Sequence, residues 1–170
     1  MMQLVILVGP KGSGKSTIGT ILSQVLPVCF FRVEPIFVAN QVEGGLAGDA
    51  LLWRGFERVE ARLDELFEQH ETVVIETTAA WGPYAEILRR YRERYTVRLV
   101  RLRAPLATCL DRVRTRDASE HIPVSDDRVH AINEIADRIE LDWDLELDNS
   151  TPASAEAIRV AFAPLVAPRT

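Results

Sequence analysis

The stretch Gly9-Pro10-Lys11-Gly12-Ser13-Gly14-Lys15-Ser16 packs three glycines, two lysines and two serines into eight residues. Its pattern, G-x-x-x-x-G-K-S, is that of a phosphate-cradling loop. Glycines at these places lack a Cβ, so the backbone can take left-handed dihedrals and come close to an anion. Successive N–H groups then converge as a concave nest, reinforced by the positive end of the helix that follows. At this spacing Lys15 is expected to reach the β- and γ-phosphates of a nucleoside triphosphate. Ser16 is expected to ligate Mg²⁺, and Thr17 to extend the same surface.

Two acids and two arginines fit the same chemistry. Glu76 closes the apolar run Val73-Val74-Ile75, as expected of an acid that holds Mg²⁺ directly or through water. Glu34 follows a second apolar run and is a candidate to orient or deprotonate an acceptor hydroxyl; the alternative is a solvated acid at a strand end. Arg112 and Arg116 stand four apart on a predicted helix and so share a face, which suits a guanidinium clamp on phosphoryl oxygens. The plainer alternative is a solvated face with Asp111 and Asp117 as ion-pair partners.

These side chains need elements to hold them. Leu4–Val8 reads as a strand buried on both faces, and Ser16–Leu26 as the helix after the loop. Cys29–Val33 reads as a second strand that Pro35 helps to end. Val38–Asp49, with Gly44, Gly45 and Gly48, reads as a loop. Ala50–Gln69 has helical periodicity. Thr72–Thr77 is a third strand, and Pro83 suits the first turn of a helix to Arg94. Thr96–Leu102 alternates as a fourth strand with one partly exposed face. A helix is expected from Pro105 to Asp117, a polar break over Ala118–Pro123, and a helix capped by Ser125 through Ile139. Leu145–Leu147 is a short fifth strand. Thr151 and Pro152 read as cap and first position of a last helix ending near Leu165. Strands alternating with helices imply a parallel sheet with ligands at the carboxyl ends of its strands.

The chain has 170 residues, 47% of them hydrophobic and 26% charged, as for one globular domain with a lid-like segment around 112–128. A net charge of −5 argues against a general nucleic-acid binder. Cys29 and Cys109 lie in apolar runs without metal spacing and read as reduced core residues. The three histidines, His70, His121 and His130, also lack metal spacing. No signal peptide and no membrane-length apolar run is evident, so the expected location is cytoplasmic, without membrane partners.

The loop, the Val-Val-Ile-Glu76 strand and the Arg112-x-x-x-Arg116 helix together resemble the small P-loop kinases, which include shikimate, gluconate, nucleoside and polynucleotide 5′-hydroxyl kinases. The resemblance implies a three-layer α/β P-loop fold with a five-stranded parallel sheet in the order 2-3-1-4-5. It also implies ATP and Mg²⁺ as cofactors, a lid carrying arginines, and an adenine bordered by the segment after the last strand, including Asn149 and Pro152. It places Arg32, Trp53, Arg54, Trp81 and Tyr84 near an acceptor pocket. Shikimate kinases carry an Asp-x-Asp after strand two and a glycine run after strand three. Here those places hold Arg32-Val33-Glu34-Pro35 and Thr77-Thr78-Ala79-Ala80-Trp81-Gly82, which argues against shikimate itself. The expectation is an ATP-dependent kinase of a small molecule's hydroxyl or phosphate, working as a monomer or homodimer. The alternatives are a nucleotide-dependent regulatory ATPase without an acceptor, and a polynucleotide 5′-hydroxyl kinase.

Overall fold

In the computed structural model of the chain, residues 2–43, 48–116 and 124–166 are described, without the side chains of 41–43. The central strand β1 (Gln3–Val8) shows how sequence becomes architecture. Its side chains alternate between two apolar layers: Leu4, Ile6 and Val8 enter one, Val5 and Leu7 the other. All five are at most 1% exposed, so the strand is apolar without interruption because both faces are covered.

The remaining elements follow as α1 (Lys15–Val25), β2 (Cys29–Phe30), α2 (Glu34–Glu43), α3 (Gly48–Phe67), β3 (Thr72–Thr77) and α4 (Tyr84–Arg94). Next come β4 (Thr96–Arg103), α5 (Leu106–Thr115), α6 (Asp126–Asp137), β5 (Leu145–Asp148) and α7 (Ala155–Val166). The five strands pair in parallel in the order β2-β3-β1-β4-β5, the expected α/β P-loop topology. Helices α3 and α4 cover one face through Val59, Leu63, Ile87 and Leu88. Helices α1 and α7 cover the other through Ile18, Leu22, Ile158 and Phe162.

Several expected boundaries move. Val38–Asp49 is not a loop as far as it is described: α2 runs through Glu43, and α3 begins at Gly48. Pro35 lies in the first turn of α2, directly after Glu34, rather than ending a long strand. Helix α2 is held by Phe37, whose ring meets Phe56 edge-on at 5.2 Å. The approach is possible because Gly55 lies beneath it; a Cβ there would stand 2.2 Å from the Phe37 ring. Strand β2 is correspondingly only two residues long.

The alternation of β4 is as expected, but its exposed face is not. Arg101 is 8% exposed, covered by the end of α6 and the chain beyond it. Its guanidinium donates to the Asp137 carbonyl at 2.8 Å and to Glu140 at 3.2 Å, and stands over the Trp143 ring. Ser125 caps α6, its hydroxyl accepting from the Arg128 N–H. The last helix is capped by Ser154, which accepts from the Ala157 N–H, and not by Thr151. Gly44, Gly45, Asp117, His121 and the Ala118–Pro123 break lie outside the described residues, as does the middle of the expected lid over 112–128. Among the described residues no helix is long and apolar enough to cross a membrane.

Because Ile6 is fully buried at the centre of the sheet, Ile6→Ala is expected to cost about 2–5 kcal/mol in urea unfolding. A loss below about 1 kcal/mol would contradict the core described here.

Candidate active site

The glycine-rich loop joins β1 to α1, and other parts of the chain fix its shape. Gly12 has φ +85°, and a Cβ there would lie 2.1 Å from the Cys109 carbonyl oxygen of α5. Only glycine fits both constraints. The loop's outward-facing backbone is tied down by side chains. Asn133 of α6 accepts from the Lys11 N–H at 2.7 Å and donates back to the Lys11 carbonyl at 2.9 Å. Asn149, after β5, donates to the Ser13 carbonyl at 2.8 Å. Arg112 donates to the carbonyls of Gly12, Asn149 and Ser150. These contacts fix the loop's shape; within it the Ser13 N–H donates to the Pro10 carbonyl at 3.1 Å.

Lys15, 8% exposed at the start of α1, donates from Nζ to the carbonyls of Gly9 and Pro10, each at 2.7 Å. Burial pulls its ammonium down from 10.5 to about 8, against the opposing pull of Glu76. The Ser16 hydroxyl donates to the Glu76 carboxylate at 2.7 Å. Glu76 sits near the carboxyl end of β3, beside Leu7 of β1, and is 7% exposed. Glu34 is the first residue of α2, and its carboxylate pairs with Lys11 at 3.4 Å.

Arg112 and Arg116 do reach one cavity, but not as a pair along one helix. Helix α5 stops at Thr115, and Arg116 is extended beyond it. Burial lowers the Arg116 guanidinium, while the nearby charges of Glu34 and Glu76 raise it and that of Arg32 lowers it. The Arg116 cation therefore lies in the field of both acids. Asp111 pairs with Arg114, on the other side of α5, at 3.8 Å.

The cavity has a volume of about 550 Å³, within the range of small-molecule sites. Lys11, Gly12, Gly14, Lys15, Ser16 and Thr17 line one end. The other end runs under α2, α3 and α4 to Trp81 and Tyr84. Trp81 stacks on Phe56 at 5.1 Å and donates from its indole to Asp49 at 3.0 Å. Trp53 meets Trp81 edge-on without lining the cavity, in keeping with its apolar face. Arg32, Arg54 and Pro152 are also absent from the lining, and Gly9, Pro10, Ser13 and Asn149 support the loop from behind it. Ala79, in the turn after β3, has φ +53°, an uncommon conformation for a residue with a Cβ. The Thr77 hydroxyl accepts from its N–H at 3.0 Å.

A family model described as an AAA domain matches residues 5–133. A shikimate kinase of Persephonella marina is 31% identical over 119 residues, covering 68% of this chain and 70% of that protein. The chain belongs to the P-loop kinase family. It is thus an ATP-dependent kinase by descent, and the matched segment includes the loop, both acids, both arginines and Asn133. An unliganded sugar kinase from a Janibacter species superposes on this kinase with a TM-score of 0.69. The two share 20% identity, with 97% of this chain and 95% of that one covered. A tunicamycin resistance protein of Deinococcus radiodurans superposes with a TM-score of 0.65 at 16% identity, covering 99% and 100% of the chains. Likeness at these identities establishes the fold alone.

Two contributors were not found by reading the sequence. Asn133 reads as one polar residue within a helix; only the folded contact shows it gripping Lys11. Tyr91 lines the cavity with Tyr84, and the signal for it was the seven-residue spacing that puts both on one face of α4.

Lys15 gives this site a proton signature. Phosphate oxygens beside Lys15 favour its charged form, so its pKa rises from about 8 on ATP binding. Below that value the ammonium is already protonated; above it, binding must take up a proton, and affinity falls as pH rises. ATP titrations at pH about 8.5 should therefore show up to about one proton taken up in buffers of differing ionisation enthalpy, and much less at pH about 6.5. Identical enthalpies in all buffers at the higher pH would refute this.

Proposed function

We propose that this kinase transfers the γ-phosphoryl group of ATP to a hydroxyl of a small molecule held in the inner end of the cavity. One observation carries the reading. The phosphate loop, the Ser16–Glu76 pair, Glu34 and Arg116 all border a single cavity of about 550 Å³ that continues past them to Trp81 and Tyr84.

The division of labour follows from the geometry. Lys15 and the loop N–H groups hold the β- and γ-phosphates. Ser16 and Glu76 offer a hydroxyl and one carboxylate, a donor set that suits Mg²⁺ completed by water and phosphate oxygens. Such an ion would neutralise charge on the transferring group. Glu34, fixed at the start of α2 and paired with Lys11, orients the acceptor hydroxyl and accepts its proton. Arg116 stabilises charge developing on the equatorial oxygens. Arg112, engaged by three backbone carbonyls, acts chiefly as a brace for the loop. Asn149 shares that bracing, and Pro152 with the exposed chain beside it borders the adenine. Segment 112–128 serves as the lid of this single domain, and the reaction takes place in the cytoplasm.

Coupled ADP release with Mg·ATP tests the proposal against sugar acids, nucleosides, neutral aromatic alcohols and 5′-hydroxyl oligonucleotides. One acceptor class should raise turnover well above the water-only rate. Lys15→Ala should reduce that turnover about a hundredfold or more while leaving the unfolding midpoint near that of the parent chain. Release that no acceptor stimulates would point instead to a nucleotide-dependent regulatory protein.

A further inference from the structure

The cavity is divided along its length. Its charged side chains form one group: Lys15 stands in the field of Glu76, Lys11 and Glu34, and Arg116 in that of Glu34 and Glu76. Arg112 joins them through the Gly12 carbonyl. The aromatic side chains form a second group. Phe56 meets Phe37 edge-on at 5.2 Å, stacks on Trp81 at 5.1 Å and lies 6.4 Å from the Tyr84 ring.

Helix α3 shows how the second group arises. Leu52, Phe56, Val59 and Leu63 fall on one apolar stripe of this helix. Val59 and Leu63 are at most 1% exposed, in the same core layer as Ile6 and Ile75. Leu52 and Phe56 are only half-buried, and both line the cavity. The stripe therefore runs on past the part of the protein that fills it and presents apolar surface to the cavity.

Glu34 marks the border between the groups. Phe37 stands three residues after it on α2, so the two share a helix face, with Cβ atoms about 5–6 Å apart. A hydroxyl placed at Glu34 thus carries a body that meets Phe37 within one helical turn. An ionised group on that body would lose water and meet no counter-charge among the described lining residues of the inner end, which is costly in an apolar setting. Arg32, Arg54 and Arg58 are not in that lining, and residues 41–47 and 117–123 contain no lysine or arginine.

We infer that the acceptor is a neutral alcohol whose hydroxyl is linked closely to an aromatic or similarly flat apolar group, and that this group seats against Phe37, Phe56 and Trp81. This rests on the phosphotransferase reading above and names the substrate class of that site. Glu34 takes the acceptor's proton while the acceptor oxygen bonds to the γ-phosphorus and the bond to the leaving ADP oxygen breaks. Phe37, Leu52, Phe56 and Trp81 take no part in that exchange; they are specificity-determining residues.

The test separates binding from turnover. Binding is read by calorimetry in the presence of a non-hydrolysable ATP analogue. The probes are 3-phenylpropan-1-ol, its ring carboxylate 4-(3-hydroxypropyl)benzoate, and propan-1-ol, which has no ring. The neutral aryl alcohol should bind about tenfold or more tighter than either of the others, the scale of one buried ring or one unpaired charge. Leu52→Arg puts a cation on the apolar wall and should reverse the order of the two aryl compounds. Trp81→Leu keeps an apolar wall but removes the stacked face. It should weaken the aryl alcohol about three- to tenfold and leave propan-1-ol unmoved. Carboxylate binding as tight as that of the neutral alcohol, equal binding of propan-1-ol, or no heat from the aryl alcohol at millimolar concentration would overturn the inference. So would unchanged aryl binding in Trp81→Leu, or the parent's order in a Leu52→Arg protein that still folds and binds the ATP analogue. Turnover is read by ADP release. Binding in the expected order, with no release above the water-only rate from any hydroxyl acceptor, would leave the pocket's chemistry standing and sink the phosphotransferase reading. Release stimulated by anionic acceptors alone would do the reverse.

Discussion

A glycine-rich loop keeps one shape only if the backbone polar groups it turns away from its concave side find partners. In this chain the partners come from far along the sequence. Arg112 of α5 takes Gly12, Asn133 of α6 takes Lys11, and Asn149 beyond β5 takes Ser13. The distant half of the chain is thereby recruited to hold a turn near the start. Order 2-3-1-4-5 makes this possible. With β1 in the middle, the ends of β4 and β5 and the helices that follow them come round to one side of the loop, while β3 brings Glu76 to the other.

The same constraint explains the division of the cavity. Buried charge is tolerated where partners converge: Lys15 on two carbonyls, Ser16 on Glu76, Lys11 on Glu34. Beyond Glu34 the described lining residues offer no such charged pairs, and the walls turn to aromatic and aliphatic groups. Lys15 sits at the boundary. Burial brings its ammonium down to about 8 despite the opposing charge of Glu76. Polar and apolar ends are therefore two consequences of one layout, set by how far the loop and its braces extend.

Much of this was legible in the chain. The loop, the acid at the end of β3 and the buried alternation of β1 are local patterns, and each fixes its own meaning. Sheet order came from the family resemblance, since spacing alone cannot choose among parallel topologies. What escaped was settled by tertiary contact. Helix α2 looked like a loop because Pro35 and the later glycines read as breakers. It is a helix because Phe37 can seat on Gly55, a pairing eighteen residues apart. The alternation of β4 suggested one partly exposed face, but Arg101 is covered. It is covered because Asp137, Glu140 and Trp143 arrive from beyond α6 to receive it. Thr151-Pro152 had the right residue types for a cap, but Ser154 had the right geometry.

Four departures from local rules meet at the cavity. Gly12 is left-handed against α5, Ala79 takes a left-handed backbone despite its Cβ, and Tyr84 and Tyr91 bury hydroxyls without partners. All four border the one cavity. Each lowers the stability of the chain taken by itself, and each is the sort of cost a fold keeps only where something else is gained. Gly12 lets the loop close against the Cys109 carbonyl of α5. Ala79 turns the chain so that Trp81 closes over the far wall. Tyr84 and Tyr91 add their rings to the aromatic wall that Phe56 and Trp81 begin, so the inner end is closed by apolar surface while the polar groups gather at the loop.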